Sequence, residues 1–416
     1  MAHSRQGAAE DGRLPDRWRN TAGAVAQGGF LGDNARQMTR LSRRAMLGLT
    51  LSGSAGLAYG AVGQPPQQEG TEAERAAMAE AATGFMIRYA VPGLSVAIAR
   101  AGKLAYAEAF GLADREAGEK LTPAHRFRIA SVTKPITSAA IFTLIEQGRL
   151  HLGDRISGQG GILGIDYGGP PYNPYVGQIT VEQLLTHTGG GWPNDGRDPM
   201  FRNPQMDHAR LIAWTLRSLP LDTVPGTTFA YSNFGYCLLG RVIETLSGQP
   251  YETYVRDAVL RRCGIEAMQI AGNTLAERQP GEVRYYAQND GDPYGMNVRR
   301  MDSHGGWIAR PADLVRFAMH VDGFATTPDI LLPSTLRVMT TPTAANPHYA
   351  RGWAVNQYGH WWHSGSLPGT ATIMVRTRSG FCWAALTNTR RPQSDMEDDL
   401  DRLVWIMARK VAAWKA

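Results

Sequence analysis

Residues 127–135 read Phe127-Arg-Ile-Ala-Ser131-Val-Thr-Lys134-Pro135 and open an apolar helical pattern that runs from Ser131 to about Leu150. Side chains three positions apart lie on the same helix face, so the Ser131 hydroxyl and the Lys134 amine are predicted to reach one cleft. The free N–H groups and the positive dipole end of a helix start stabilise a developing negative charge. Pro135 fits a first turn, where a proline loses no hydrogen bond.

Lysine is scarce in this chain, which sets Lys134 apart. Of 43 basic residues only five are lysine, at positions 103, 120, 134, 410 and 415. A buried lysine gives up its proton, whereas arginine stays charged, so proton transfer is a reason to use lysine here. For an isolated Ser-x-x-Lys match, the alternative is a serine that caps the helix and a lysine on a solvated face.

A second group of polar side chains follows the turn-rich segment 225–230. Tyr231 lies there on a loop, and Asn233 precedes a helix expected to begin near Gly235. A phenol becomes a usable general base when a nearby ammonium lowers its pKa, and we expect Lys134 to supply that ammonium. Asn233 either donates to a substrate carbonyl or holds the lysine in place. A packed loop tyrosine followed by a capping Asn is the structural alternative.

His-x-Gly occurs at positions 187, 304 and 363. The first two are interpreted as scaffold, because they lie beside predicted helices. The third, His363-Ser-Gly365-Ser366, is expected between two strands near the C-terminus, where a strand edge lines a cleft. Gly365 would permit close approach of a substrate, and the N–H of Ser366 would pair with that of Ser131 as an oxyanion hole. His363 itself is either a satisfied structural histidine or a catalytic one.

Residues 72–416 are predicted to form one α+β domain. Its antiparallel sheet is completed by both ends of the chain, because helices and hairpins occur at both ends, and residues 151–290 are expected to form a mostly helical lobe. The strands are predicted at 94–100, 104–110, 353–358, 370–377 and 381–388, followed by a helix at 394–414.

The N-terminal residues are predicted to contain an export signal. Residues 1–61 combine a polar, disorder-prone stretch with Arg43-Arg44 before a mildly apolar segment, which resembles a twin-arginine signal peptide. A chance Arg-Arg before a short helix is the alternative, and Met38 is a plausible start. Residues 62–71 are expected to be a linker. The protein is therefore predicted to be periplasmic or secreted.

Charge and cysteine content exclude several classes of function. The net charge of +6 resides mostly in the first 61 residues, so we expect no nucleic-acid partner. No apolar run reaches the length of a membrane span, so no stable membrane insertion is expected. Three widely spaced cysteines, Cys237, Cys263 and Cys382, fit neither a disulfide framework nor a metal site. We expect no metal and no cofactor, and oligomeric state stays open.

Three motifs in the order Ser-x-x-Lys, Tyr-x-Asn and His-x-Gly make residues 72–415 resemble the class C β-lactamase superfamily of serine hydrolases. Flanking segments support the resemblance: 91–97 (VPGLSVA), 127–131 (FRIAS), 184–190 (LLTHTGG) and 352–353 (GW). The resemblance implies a β-lactamase and penicillin-binding transpeptidase-like fold. It also implies acylation of Ser131, with proton transfer by Tyr231 and Lys134, then deacylation by water.

One departure from that superfamily bears on the substrate. Its β-lactamases and D,D-peptidases carry Lys-Thr-Gly at the third motif, whose cation helps to hold a substrate carboxylate, whereas this chain has His363. The difference favours relatives similar to family VIII carboxylesterases or D-amino-acid amidases and peptidases. We therefore expect a small-molecule substrate (an ester, an amide or a short peptide), and we rank hydrolysis of a carboxylic ester, or an amide, first. β-Lactam or peptidoglycan-peptide hydrolysis ranks second, and a slowly acylating penicillin-binding sensor third.

Overall fold

The computed structural model describes residues 68–168 and 171–415. The predicted signal peptide and most of the predicted linker lie outside the described residues. In the described part, the helices are α1 Glu72–Tyr89, α2 Thr133–Glu146, α3 Val181–Leu185, α4 His208–Ser218, α5 Asn233–Ser247, α6 Tyr251–Val255, α7 Pro311–Met319, α8 Pro333–Thr340 and α9 Met396–Lys410. The strands are β1 Gly93–Arg100, β2 Lys103–Asp114, β3 Glu119–Lys120, β4 Phe127–Arg128, β5 Gln269–Ile270, β6 Trp307–Ala309, β7 Ala354–Val355, β8 Trp361–Leu367, β9 Thr370–Arg376 and β10 Phe381–Thr387.

The main sheet has seven antiparallel strands in the order β3-β2-β1-β10-β9-β8-β7. Its centre joins the two ends of the chain, since β1 pairs with β10 and Val96 lies opposite Ala385. The predicted α+β class, with a sheet completed by both ends, is confirmed. The first hairpin closes at Ala101-Gly102, where both residues have positive φ, 47° and 78°, as a two-residue hairpin turn requires.

Helices cover both faces of this sheet, which explains why β1 is apolar at almost every position. Val96 and Ile98 pack in one cluster with residues of α1 and α9. Ala97 and Ala99 point to the other face and belong to the larger cluster that includes α2, α5 and α7. A strand buried on both faces needs no polar alternation. The small side chains on the second face let the helices, and with them Ser131, lie close to the sheet.

The segment between α2 and α7 contains α3, α4, α5 and α6 with long connections, and the strands β5 and β6. These two strands form a second sheet of order β4-β6-β5 with β4, which precedes α2. Apolar side chains of α5, including Leu238 and Val242, are buried in the larger cluster together with Ile136 and Ile141 of α2. This packing joins the helix that follows Ser131 to the helix that begins at Asn233.

Two local predictions were wrong. The region after residue 353 holds four strands instead of three: β7 is shorter than predicted, and β8 was missed because serines and a glycine interrupt its apolar alternation. The helix predicted from Ser131 to Leu150 begins as a 3-10 turn at 130–132, continues as α2 and ends at Glu146. Gly148, with φ 68°, marks the left-handed turn after that end.

In the described ranges, no helix has both the length and the apolarity to cross a membrane. The same residues hold no group of three or more side chains placed to bind a metal ion. Cys237, Cys263 and Cys382 are buried free thiols.

Candidate active site

Ser131 sits in the 3-10 turn between β4 and α2, beside strand β8. The residue before it, Ala130, has φ 47°, a left-handed conformation that is rare for a side chain with a Cβ and that usually occurs where the surroundings enforce it. The neighbouring Ile129 backbone is held from two sides: its N–H donates to Trp307 O at 3.0 Å, and its carbonyl accepts from Thr372 Oγ1 at 3.0 Å. The Ser131 turn is therefore held in place by both sheets.

Lys134 is fully buried, and its Nζ has three hydrogen-bond partners. These are Ser131 Oγ at 2.9 Å, Asn233 Oδ1 at 2.7 Å and the carbonyl oxygen of His304 at 3.1 Å. Burial lowers the pKa of Lys134 well below its ordinary value, with a smaller opposite effect of Asp198. A neutral amine has two hydrogens and one lone pair. Because an amide oxygen and a backbone carbonyl only accept, they take the two hydrogens, and the lone pair faces the Ser131 hydroxyl.

Asn233 is the first residue of α5, and both N–H hydrogens and the oxygen of its side-chain amide have hydrogen-bond partners. Its Nδ2 donates to Asn194 Oδ1 at 3.0 Å and to Asp198 Oδ2 at 2.8 Å, while Oδ1 accepts from Lys134. An amide has only two N–H hydrogens, so none is left for a substrate carbonyl. Of the two roles predicted for Asn233, the structure supports the one that holds the lysine.

Tyr231 lies on the loop before α5, as predicted, and Ser131 is close enough to its hydroxyl to lower the pKa of the phenol against the larger effect of burial. The Nζ of Lys134 lies 4.7 Å from the centre of the Tyr231 ring. The predicted electrostatics were wrong, because burial raises the pKa of Tyr231 far above its ordinary value and the Lys134 amine does not lower it. The phenol therefore stays protonated near neutral pH, whereas burial lowers the proton affinity of the Lys134 amine.

His363 lies within β8 and not between strands, so its predicted position was wrong. Its Nδ1 is 2.6 Å from the carbonyl oxygen of Ser364 and its Nε2 is 3.1 Å from the hydroxyl of Tyr349. The carbonyl only accepts, so Nδ1 carries the hydrogen. Burial, together with Lys134, lowers the pKa of His363 to about 3. The third motif therefore presents a neutral imidazole.

His187 follows α3, as predicted, and contacts Tyr231, Ser232 and Tyr349. Its ring packs against the Tyr231 ring with centres 4.1 Å apart. Its Nδ1 accepts from the N–H of Ser232 at 3.1 Å, and its Nε2 lies 3.2 Å from the hydroxyl of Tyr349. Tyr349 thus lies between two imidazoles, those of His187 and His363. This arrangement supports the Tyr231 ring, which extends the scaffold role predicted for His187.

Gly365 has a different role from the one predicted. A Cβ at this position would lie 2.3 Å from the carbonyl oxygen of Ile129 and 3.0 Å from the backbone nitrogen of Ser131. The missing side chain therefore lets β8 lie against the Ser131 turn.

Ser366 is anchored by its side chain. Its Oγ donates to Glu397 Oε1 at 2.5 Å and accepts from the guanidinium of Arg390 at 3.0 Å. Leu367 pairs with Thr370 across a two-residue loop, and hydrogen-bonded pairs alternate along an antiparallel ladder. The N–H of Ser366 therefore points to the edge of β8 away from β9.

Sequence reasoning missed four contributors to this cluster: Asn194, Asp198, Tyr349 and the carbonyl of His304. Asp198 is buried and caps the 3-10 turn Pro199–Phe201. Its burial raises the pKa of its carboxyl to about 6, opposed chiefly by the hydrogen bond from Asn233. The only sequence signal was an Asp-Pro pair in a loop, which is an ordinary helix-cap pattern. The contacts of these four residues depend on segments that are distant along the chain.

Comparison with known proteins gives a family match and several curated relatives. The family model described as Beta-lactamase matches residues 72–404. Protein flp of Staphylococcus aureus (strain NCTC 8325 / PS 47) is 30% identical over 171 residues, which are 41% of this chain and 33% of that protein. Esterase EstB of Burkholderia gladioli is 31% identical over 226 residues, 50% of this chain and 53% of EstB. The matches thus span about a third to a half of these curated relatives.

Solved structures of similar fold include two hydrolases. The D-amino acid amidase from Ochrobactrum anthropi SV3, complexed with D-phenylalanine, has a TM-score of 0.67 at 22% identity and covers 82% of this chain and 99% of that one. The D-alanine carboxypeptidase AmpC from Burkholderia cenocepacia has a TM-score of 0.63 at 21% identity, with 82% and 99% covered. At these identities the likeness concerns the fold. Together with the family match, it confirms the resemblance drawn from the three motifs: the chain belongs to the Beta-lactamase family of serine hydrolases.

Proposed function

We propose that this protein hydrolyses carboxylic esters or amides through an acyl-enzyme on Ser131. The observation that carries the proposal is the hydrogen-bond arrangement at Lys134. Two of its three partners, Asn233 Oδ1 and the His304 carbonyl, only accept, so the amine's lone pair faces the Ser131 hydroxyl. A hydroxyl next to an unprotonated amine, at the start of a helix, is an activated nucleophile.

Acylation begins when Ser131 passes its proton to Lys134 and its Oγ attacks the substrate carbonyl. The tetrahedral oxygen then accepts hydrogen bonds from the N–H groups of Ser131 and Ser366. Support for this pair comes from the packing of Gly365 against the Ser131 backbone and from the strand register, which turns the Ser366 N–H away from β9.

Collapse of the tetrahedral intermediate needs a proton for the leaving group. Tyr231 keeps its proton because burial raises its pKa, and its hydroxyl lies near Ser131, so it can give that proton to the departing oxygen or nitrogen. The Lys134 ammonium then returns a proton to the phenolate. In deacylation, Lys134 takes a proton from the attacking water. Collapse of the second tetrahedral intermediate then returns a proton from the Lys134 ammonium to the departing Ser131 Oγ, which restores the resting enzyme.

The neutral His363 favours substrates without a carboxylate beside the scissile bond. A site that lacks a cation at this position gains no ion pair from such a carboxylate, which must still lose its hydration on binding. The name of EstB, an esterase, agrees with this preference. We therefore rank esters first, amides and short D-peptides second, and β-lactams below them.

The experiment is a panel of p-nitrophenyl acyl esters, nitrocefin and D-Ala-D-Ala peptides, assayed with wild type and Ser131→Ala. Ser334→Ala is the matched control, since Ser334 is exposed on α8. We expect ester turnover with wild type and the control, none with Ser131→Ala, and a fluorophosphonate adduct on Ser131 by peptide mass analysis. Ester hydrolysis that survives Ser131→Ala would refute the mechanism.

We also propose export by the twin-arginine route, on the basis of Arg43-Arg44 and the apolar stretch after it. Exported protein should lack about the first 61 residues by intact mass. A mature protein that retains them would contradict the proposal.

A further inference from the structure

Asp198 is a buried carboxylate to which the proposed mechanism assigns no direct step. It is 1% exposed, its Oδ1 accepts from the N–H of Met200 at 2.9 Å, and its Oδ2 accepts from Asn233 Nδ2 at 2.8 Å. Within residues 68–168 and 171–415, no lysine, arginine or histidine forms an ion pair with it. A buried carboxylate without a cation beside it is costly, so its position calls for a reason.

We attribute the position of Asp198 to its contact with Asn233, which in turn contacts Lys134. Asp198 accepts from the Asn233 amide, the Asn233 oxygen accepts from Lys134, and Lys134 contacts Ser131. An amide can rotate by half a turn and exchange its oxygen with its nitrogen. An ionised carboxylate cannot donate, so it fixes the Asn233 nitrogen on its own side and the oxygen on the side of the lysine.

We propose that Asp198 is a positioning residue that acts through Asn233, which it orients, and that its negative charge raises the proton affinity of the Lys134 amine. The proposal rests on the proposed function of Lys134 as the base. Without Asp198, the amide nitrogen of Asn233 could turn toward the amine and oppose its protonation during acylation.

The other groups that face Lys134 carry no anionic charge near neutral pH. They are Ser131, the rings of Tyr231 and Tyr236, the imidazoles of His187, His304 and His363, and the carbonyl of His304. Burial raises the pKa of both tyrosines and lowers the pKa of the three histidines. In the described part of the chain, Asp198 is thus the group whose charge raises the pKa of Lys134.

The first test is Asp198→Asn, which keeps the shape and removes the charge. The pH profile of kcat/KM for a p-nitrophenyl ester, from about pH 5 to about pH 9, reports protonation of the base in the free enzyme and, in wild type, protonation of Asp198, whose pKa burial raises to about 6. Loss of the anion lowers the pKa of Lys134, so the acid limb should move to lower pH by about one unit or more. The plateau should fall about tenfold, because one amide oxygen cannot satisfy both Met200 and Asn233. Asp222→Asn, at an exposed carboxylate, is the matched control and should leave the profile unchanged.

A second variant should move the acid limb of the pH profile in the opposite direction. This test holds even if Asp198→Asn folds poorly. Asn194 Oδ1 is the other acceptor of the Asn233 amide, and Asn194 is only partly buried. Asn194→Asp places a second carboxylate beside that amide, so the acid limb should move to higher pH. A merely structural role for this loop would change the plateau and leave the limb in place.

A double-mutant cycle tests the route. If Asp198 orients the lysine through Asn233, Asp198→Asn should cost little further plateau rate in an Asn233→Ala background. Full additivity of the two losses would overturn the proposal, and so would an acid limb that neither variant moves while Ser131→Ala remains inactive. Activity in Ser131→Ala would instead refute the proposed function itself.

Discussion

Replacement of Lys134 by methionine tests whether the buried amine is neutral in the folded protein. An unfolded lysine has a pKa of about 10.4, so its amine is protonated near neutral pH. Burial lowers the pKa of the folded Lys134, and the proposed role as base predicts that the folded amine is unprotonated at that pH. The unfolded state then binds one proton more than the folded state. Stability contributed by this site therefore rises with pH, by about 1.4 kcal/mol per pH unit, until the unfolded lysine also loses its proton.

Lys134→Met removes this linkage and retains a side chain of similar length. Between about pH 7 and about pH 9, the free energy of unfolding of wild type should gain about 2.7 kcal/mol relative to the variant. The loss of hydrogen bonds to Asn233 Oδ1 and the His304 carbonyl, about 1–3 kcal/mol for each acceptor left unpaired, shifts all values equally and leaves the slope intact. Other titrating groups are present in both proteins and cancel in the difference.

The assay is urea unfolding of both proteins at about pH 7, 8 and 9, with the free energy of unfolding extrapolated to water. Ser334→Ala, treated identically, should follow wild type at every pH. A difference between wild type and Lys134→Met that stays constant across this range would mean that the folded lysine keeps its proton. In that case the lone pair assigned to the amine does not exist, and Lys134 cannot be the base.

Three further predictions concern activity and stability at single positions. Lys134→Arg should abolish ester hydrolysis as fully as Lys134→Ala, because a guanidinium keeps its proton; wild-type rates in the arginine variant would exclude the role of base. Tyr349→Phe leaves the Nε2 atoms of two buried imidazoles, His187 and His363, without a hydrogen-bond partner, so we expect a loss of about 1–3 kcal/mol in the free energy of unfolding by urea, and an unchanged value would contradict the hydrogen-bond assignment. Gly365→Ala places a Cβ 2.3 Å from the carbonyl oxygen of Ile129, so kcat should fall at least about tenfold, whereas Gly84→Ala, with open space around it, should keep the wild-type rate.

The neutral third motif connects the fold to the choice of substrate. His363 stays uncharged because burial, together with the nearby Lys134, lowers its pKa, and the hydrogen bond to the Ser364 carbonyl opposes this only weakly. A lysine at the same place would meet the same burial and the same neighbouring amine. Substrate preference in this protein is thus expected to depend on Tyr349 and β8 as much as on the identity of residue 363.

The sequence alone determined the features that depend on local spacing. Ser131 and Lys134 are three positions apart, and a helix start brings such side chains together whatever the rest of the chain does. Tyr231 was placed on a loop before a helix by its turn-rich surroundings, and the hairpin of β1 and β2 by its two apolar runs and intervening glycine. The order of the three motifs was enough to predict the α+β fold and the family.

Only the tertiary structure determines which of these groups donate or accept hydrogen bonds and in which direction their pKa values shift. Strand β8 escaped sequence analysis because its alternation is broken by Ser364 and Gly365, and only its pairing with β9 defines it. The hydrogen bonds of the Asn233 amide to Asp198 and Asn194, and the lowered pKa of Lys134, follow from burial and from partners tens of residues away. Solvation and hydrogen-bond geometry are properties of the packed chain, so no local pattern in the sequence encodes them.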